Sequence, residues 1–500
     1  MNVSQKFNSL ILVVKQLIPG IILGLVTATL AVQAVRLEPK YFYSIMAAAC
    51  GMAILLFLIK DRGHLFNILL GLYALSIPIN LDINFFIRHH EGGAAGITIS
   101  LSLLLAAALL FYIFFVYHPY TKSPENPPFR IDYVLVWPCV IYMVAGVASL
   151  LNALHYELVF FELFRIATLI MILILTMNLR NPCHLRIFLI FLMVGMCFEG
   201  ALAYTQYTTG ETIGLALFGE EQLVEQNIGF MFSRATGTIG HPNILAYYFE
   251  ILLPLAFALL LGTQNRWTRL FCFVALMMGL AGILTTLSRG AWVTLPLSFT
   301  LVFLVLYGRR LFHIKTALYL VLAGIIVVIS LFFAYPTIEK RFIHDDYKSA
   351  AMRMPLNRAA FSIIKQFPVV GIGMNNFVEV FSKYDTTGKS RILRGGKNPV
   401  HNLYLFVWAE VGLVGFLAFL SIFAAAFMVI RRLLFKVSFW YRAVLIGIAG
   451  GLMAHMIHGL FDPGFKVNLP VSVLIFSLIG IIGAIDIIHG DEAKPAVRAG

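Results

Sequence analysis

Apolar runs of roughly 20 residues, broken by short polar stretches, recur along almost the whole chain. A helix crossing a hydrocarbon layer needs roughly that length, because no water is present there to satisfy free backbone groups. Fourteen runs fit, near 17–35, 41–60, 64–80, 97–117, 131–153, 158–179, 185–207, 243–263, 267–287, 290–308, 314–335, 402–430, 439–461 and 470–488. The run at 64–80 is short, and only Ser288-Arg289-Gly290 parts two of the others, so the expected count is twelve to fourteen. The predicted fold class is an all-α polytopic membrane protein with a large polar loop that carries an amphipathic helix. Four segments follow: helices in 1–207, helices with a first polar segment and an arginine turn in 208–336, the large loop in 337–401, and the last helices in 402–500.

Composition removes the main alternative. Hydrophobic residues make up 60% of the 500 and charged residues 12%, with a mean hydropathy of +0.88. A soluble domain carries about a quarter charged residues. The formal charge of +13 invites a nucleic-acid partner, but the basic residues are dispersed between spans rather than gathered in one domain, so none is expected. Of the five cysteines, four fall within spans and none has metal-ligand spacing, which argues against a disulfide framework or a zinc site. The first apolar run is interrupted by Lys15 and lacks a small-residue cleavage site, so it is expected to stay as an uncleaved helix.

Lysine and arginine in short loops set orientation. With a cytoplasmic N-terminus, the inside segments hold nineteen of them and the short outside segments six; the long segment 337–400 holds eleven but is exempt from the rule. Both termini are therefore expected in the cytoplasm, and the large loop on the periplasmic side of a bacterial inner membrane.

Within that loop, Asp345-Asp346 precede a helical pattern. Pro355 suits the first turn of a helix, and Leu356, Ala360, Phe361 and Ile364 recur at helical spacing as one apolar face. Phe367-Pro368 should stop the helix. Gly371-Ile372-Gly373 followed by Met374-Asn375-Asn376-Phe377 reads as a tight turn; as a nucleotide fingerprint it lacks the third glycine and a preceding strand. The apolar face would let the helix rest on the mouth of the bundle as a partial lid.

The candidate chemistry lies on the outward side. Arg289, between two strongly apolar spans, either snorkels to headgroups or binds a phosphate by a bidentate fork, and small Ser288 and Gly290 leave room for a ligand. Arg353 and Arg358 sit five residues apart, roughly 140° on a helix, so both cannot point one way. If Pro355 starts the helix, Arg353 lies at its N-terminus, where anions are already attracted. His401 offers an imidazole able to take a proton from a hydroxyl at physiological pH, and Asn402 orients it or a sugar. Arg234 precedes His241-Pro242-Asn243, which reads as a helix-entry turn. His455 and His458 at i, i+3 resemble a metal pair without the carboxylates to complete it. Glu162, Arg165, Glu199, Glu250, Glu410 and Asp486 fall within spans and need partners; Glu162 and Arg165 are placed to pair with each other.

The spacing of these residues has a familiar form. His401-Asn402, then nine residues, then Gly412-Leu413-Val414-Gly415 resembles the His-Asn signature of the O-antigen ligase and polymerase family. Arg353 ahead of Pro368 and Gly371-Ile372-Gly373 looks like that family's loop arginine. Ser288-Arg289-Gly290 is similar to its arginine turn, and Gly237, Gly240 and His241-Pro242-Asn243 to another recurring element. The likeness covers about residues 230–465. It implies a metal-independent, cofactor-free inverting glycosyltransferase of the GT-C type that moves a glycan from undecaprenyl diphosphate to an acceptor hydroxyl. By the same resemblance His401 is the base and Arg289 and Arg353 hold the diphosphate; Arg358 and Arg234 are candidate further contacts, and Asn402, His241, Asn243, Ser288 and His458 candidate supporting residues. The acceptor is either a lipid A-core or other glycan, as in a ligase, or another lipid-linked repeat unit, as in a polymerase. Two departures bear on the acceptor: more spans than the twelve expected, and Asn357 where an aromatic is expected. A transporter or flippase of the lipid-linked glycan is the alternative of another class; it should show broken helices with charges at midplane in two halves, whereas the polar signatures here collect at one face.

Overall fold

The computed structural model describes residues 62–117, 129–221, 224–228, 230–308, 346–386 and 399–492. Three expected spans, 17–35, 41–60 and 314–335, lie outside them, as does the expected uncleaved first helix. The chain divides into two compact units, Met1–Ile68 and Leu69–Gly500; apart from the first residues of α1, everything below lies in the second.

Each of the other eleven expected spans contains a helix, although 97–117 opens on a strand at Ile97–Ser100 and the runs at 64–80 and 97–117 give helices shorter than a span. The helices are α1 (Arg62–Ser76), α2 (Leu101–Phe111), α3 (Tyr133–Ala148), α4 (Tyr156–Met177), α5 (Pro182–Thr209), α6 (Pro242–Gly262), α7 (Arg266–Thr285) and α8 (Arg289–Tyr307), then, after the polar loop with α9 (Asp346–Gln366) and α10 (Phe377–Val380), α11 (Leu403–Leu433), α12 (Phe439–His458) and, past the short α13 (Gly464–Val467), α14 (Leu469–Glu492). Among the described residues, nine are long and apolar enough to cross a membrane, and α1 and α2 are shorter apolar helices. Two small antiparallel hairpins accompany them: β1 (Asp82–Phe85) with β2 (Ile97–Ser100), and β3 (Val224–Ile228) with β4 (Phe230–Arg234). The protein is an all-α polytopic membrane protein.

Local sequence explains where the helices begin. Asn181 caps α5 ahead of Pro182, which needs no N–H there, and Asn265 caps α7 by accepting from the amides of Trp267 and Thr268. Gly210 ends α5 in the left-handed conformation. Helix α6 packs along α12, α4 along α14, α5 along α7 and α3 along α11. The apolar window of α14 is 94% buried and that of α8 only 28%, so α14 is interior while α8 presents most of its surface outward. Trp137, Ile141 and Val144 on α3 are exposed at helical spacing, an apolar stripe suited to acyl chains.

The large loop departs from expectation in two places. Helix α9 starts at Asp346, so Pro355 lies inside it rather than in its first turn. The stretch before Pro355 is rich in Ala, Met, Lys and Arg, all good helix formers, and it continues the helix past the one backbone bond that the proline lacks. Arg353 is therefore within the helix and not at its N-terminus. The buried face consists of Leu356, Ala359, Ala360, Ile363 and Ile364, packed with Phe377, Phe381 and Phe406, while Phe361 is 53% exposed. A 3.6-residue period places 359 and 363 on the stripe of 356, 360 and 364, and rotates 361 away from it. The helix ends at Gln366, immediately before Phe367-Pro368 as expected.

Helix α11 is broken at Gly412 (φ 66°, ψ −172°), a backbone conformation open essentially to glycine alone. At 1.5 Å per residue the 31-residue helix would measure roughly 46 Å, against a hydrocarbon thickness of roughly 30 Å. The part after the break alone has the length of one span. The break frees backbone groups that have to be satisfied, and the loop supplies them. Leu413 N donates to Pro368 O (2.8 Å), while Ile372 N and Gly373 N donate to the carbonyls of Ala409 (3.0 Å) and Glu410 (3.1 Å). Gly371 (φ 75°) passes so close to Glu410 and Gly412 that a Cβ on it would strike their backbone. The turn is closed further by buried Asn375, whose Nδ2 donates to the carbonyls of Ala94 (2.8 Å) and Leu158 (3.2 Å). Thus Gly371-Ile372-Gly373 is a tight turn serving a helix break.

Gly412→Ala is expected to cost about 3 kcal/mol or more, since backbone strain adds to a collision with the Val369 carbonyl. Gly308→Ala, where a Cβ meets nothing, should be near neutral. Thermal melting of both variants in detergent checks the pair; equal melting temperatures would contradict the account of the break.

Candidate active site

Helix α6 begins one side of the site. His241 is its N-cap, with Nδ1 accepting from Asn243 N (3.2 Å), and Pro242 fills the first turn. The helix-entry reading of this motif holds. Its Asn243 does more: Oδ1 accepts from Arg234 Nη2 (2.6 Å) and Nδ2 donates to Asp462 Oδ2 (3.3 Å). Arg234, buried at the end of β4, also donates from Nε to the carbonyl of Thr286 (2.8 Å), which ties it to the turn carrying Ser288-Arg289-Gly290.

The second side is the entry to α11. Leu403 N donates to Gly459 O (2.8 Å), and Asn402 Nδ2 donates to Leu460 O (3.1 Å) while its Oδ1 caps the helix at Leu405 N (2.9 Å). Asn402 thus fastens residues 401–403 against 459–460. Asp462 is held in the same strip by Tyr247, whose hydroxyl donates to its carbonyl (2.8 Å). The strip sets His401 Nδ1 3.8 Å from Asp462 Oδ2, with the imidazole 31% exposed. That separation exceeds a hydrogen bond, so the interaction is electrostatic. Burial alone would push the Asp462 carboxyl up, but His401, His458 and His241 around it outweigh burial and hold it below its ordinary value. Asp462 is consequently ionised at neutral pH, and its stabilising contribution is lost as the pH falls through that lowered value.

The third side is the end of α12. His458, buried, has Nδ1 2.8 Å from Glu250 Oε2 on α6 and stacks on Tyr247 (centroids 4.2 Å apart). Thr294 of α8 donates to the same carboxylate oxygen (3.0 Å). The other face of the imidazole lies against Gly290, where a Cβ would run into the ring. Gly290 is therefore glycine because α8 starts in contact with His458, which brings the backbone at Arg289 to this point. Arg289 opens α8 half-buried, behind buried Ser288. Arg353, half-buried on α9, acts electrostatically on His458.

Hydrogen bonds, ring contacts and electrostatics thus connect Arg234, His241, Asn243, Gly290, Arg353, His401, Asn402 and His458, groups remote from one another in sequence. Arg358 is not among them: it is exposed on α9, with Nη2 3.6 Å from Met354 Sδ, as its 140° offset from Arg353 requires. His455 packs edge-on to Tyr247 and beside Phe465, and His458 is engaged with Glu250. Asp462 and Tyr247 carried no role in the sequence reading. An acidic residue four positions after His458 was the available signal for Asp462; nothing marked Tyr247 among the aromatics of an apolar helix.

A buried ionic cluster lies behind the site. Lys466 Nζ bridges Glu162 Oε1 (2.7 Å) and Glu410 Oε2 (3.0 Å), and Arg165 makes a fork with Glu162 (3.0 and 2.5 Å), as the i, i+3 spacing predicted. Lys466, Glu162 and Glu410 are at most 1% exposed. Glu410 also accepts from Phe377 N (3.2 Å). The cluster binds α4, α11, α13 and the loop together, and α13 follows directly on the Asp462 strip. The flanking carboxylates raise the Lys466 ammonium above its ordinary range although burial opposes it. The other acids within spans have partners too: Glu199 accepts from Thr238, and Asp486 pairs with Arg432.

Residues 272–420 match the family model described as O-Antigen ligase. The matched stretch holds Ser288-Arg289-Gly290, Arg353, the 371–377 turn, His401-Asn402 and the Gly412 break, and supports assignment to the O-antigen ligase and polymerase family, with ligase- or polymerase-type function in general. No curated protein matches the chain.

Proposed function

We propose, taking the O-antigen ligase and polymerase assignment as premise, that this protein transfers a glycan from undecaprenyl diphosphate to an acceptor hydroxyl at the periplasmic face of a bacterial inner membrane. Orientation rests on the nineteen-to-six bias of basic residues. The observation that carries the reading is the His401 imidazole set against an ionised Asp462 in a network that reaches Arg234 through Asn243.

His401 Nε2 takes the acceptor proton as the hydroxyl oxygen attacks the anomeric carbon from the side opposite the leaving group, which inverts that centre. The diphosphate departs with the electron pair of the broken bond. Its charge grows as the bond breaks, so guanidinium groups already in place stabilise the transition state more than the ground state. Arg289 and Arg353 fill this role, with Arg234 behind them. Asp462 stabilises the imidazolium that forms. No metal or cofactor is part of this proposal.

Arg353 is favoured over Arg358, because Arg353 is the one acting on His458 and Arg358 points outward. Arg353→Ala is expected to lower transfer by roughly 100-fold and Arg358→Ala by less than about fivefold, measured as surface glycan in a deletion strain complemented at equal protein level. Equal effects would remove the assignment. The same strain decides the acceptor class. Long lipid-linked chains accumulate when a ligase is lost, and single repeat units when a polymerase is lost; accumulation of neither overturns glycan transfer.

A further inference from the structure

At the end of α12 opposite His458, a cavity of about 380 Å³ opens between the starts of α5, α7 and α12 and the end of α6. Trp440 on its rim and His458 at the site belong to the same helix and are roughly 27 Å apart along its axis. The cavity is therefore separate from the chemistry described above. Its volume is near the lower limit for a small-molecule site.

The walls are sorted by polarity. Ile190 and Met193 of α5, Leu259 of α6 and Phe271 of α7 form an apolar floor, and all three helices have the length and hydropathy of spans. The rim carries Arg186, Gln264, Thr268 and Trp440. Among the described residues, Arg186 is the one ionised side chain lining the cavity, and no carboxylate lines it. Its guanidinium lies over the Trp440 ring, 5.4 Å from the centroid, exposed, and with no carboxylate partner among the described residues. On the first turn of α7, Arg266 stacks on Trp267 and Arg269 donates to Thr263 O (2.8 Å). Neither lines the cavity, so the charge at its lip is that of Arg186. An apolar crevice between spans with a cationic, tryptophan-bearing lip matches a molecule that has an acyl chain and one anionic head.

We infer that this cavity binds an anionic glycerophospholipid of the surrounding leaflet, with its acyl chain along Ile190, Met193, Leu259 and Phe271 and its phosphate on Arg186. A neutral or zwitterionic lipid would fill the same floor but gain less from the lip, and a free phosphate would gain nothing from the floor. The inference does not depend on the glycan-transfer reading.

The test is native mass spectrometry of the full chain in detergent, titrated with phosphatidylglycerol and with phosphatidylcholine of the same acyl chains. Phosphatidylglycerol should bind about fivefold more tightly, one cation near the headgroup layer being worth about that factor. Arg186→Gln, a change at an exposed side chain, should bring the two lipids to equal affinity. Thr268→Trp, which fills the crevice from its exposed rim, should weaken both. Equal binding of the two lipids by the unaltered chain, or a preference that survives Arg186→Gln, overturns the inference. So does displacement of phosphatidylglycerol by millimolar inorganic phosphate alone, which would identify an anion site without a lipid.

Discussion

Alanine in place of His401 should abolish glycan transfer while the protein accumulates and melts as before. A positioned general base contributes on the order of 10²–10⁴-fold, and nothing else in the strip supplies a proton acceptor at that point. Asp462 holds its negative charge next to Nδ1 at 3.8 Å, but its Oδ2 accepts from Asn243 and the surrounding imidazoles hold the carboxyl below its ordinary value. The imidazole is partly exposed, and buried Asp462 keeps the bond from Asn243 and the nearby imidazoles of His458 and His241, so the fold should persist. Asp462→Asn should retain part of the activity, because the imidazole remains and only the stabilisation of its charged form is reduced. The measurement is transfer from a purified lipid-linked donor, with surface glycan in a complemented deletion strain as a second readout. Full activity in His401→Ala would dismiss the imidazole as base, whatever the fate of the guanidinium groups.

The largest effect on stability is expected at Lys466. Lys466→Met leaves Glu162 and Glu410 buried with Arg165 as the remaining cation of the cluster, and removing one member of a buried ion pair costs about 3–5 kcal/mol. The cost arises from the uncompensated carboxylate more than from the lost attraction. It follows that Lys466→Met combined with Glu410→Gln should recover a large part of the loss, because the amide carries no charge and still accepts from Phe377 N. A double-mutant cycle on thermal denaturation in detergent isolates the coupling. Additive losses would mean that the 3.0 Å contact of Lys466 with Glu410 contributes little. Since Glu410 precedes the Gly412 break and Lys466 follows the Asp462 strip, the single variant should also lose activity, and the double variant regain it.

Several of these residues were visible as requirements before they were visible as contacts. A carboxylate within an apolar run has to be paired, which singled out Glu162, Glu250 and Glu410, yet spacing identified a partner only for Glu162, because Arg165 is one turn away on the same helix. Glu250 meets His458 and Glu410 meets Lys466 across distances in sequence that no local rule spans. Lys466 itself reads as a loop cation, since a short polar stretch between two spans is where anchoring lysines ordinarily lie. Pro355 misled for a related reason: its preference for a first helical turn is a local tendency, and favourable residues before it carried the helix through. Phe361 was assigned inward from an apolar count, whereas rotation along α9 turned Ala359 and Ile363 to the core instead.

Bulk solvation determines the class of this molecule from composition alone: runs of about 20 apolar residues have to be helical and membrane-crossing because hydrocarbon cannot satisfy a backbone, and nine of the eleven expected spans that fall on described residues are helices long and apolar enough to cross. Chemically distinctive groups and glycine-dependent turns were legible in the same way, since rarity in apolar surroundings marks them. Which groups meet was decided by tertiary structure. Asp462 stands before His401 because Asn402 and Leu403 are bonded to residues 460 and 459, and the loop turn is tied into α11 because Gly412 frees carbonyls that only a distant backbone can satisfy. Pairing of this kind depends on how helices pack, and packing sums many weak contacts between residues far apart in the chain, so no window of sequence contains it.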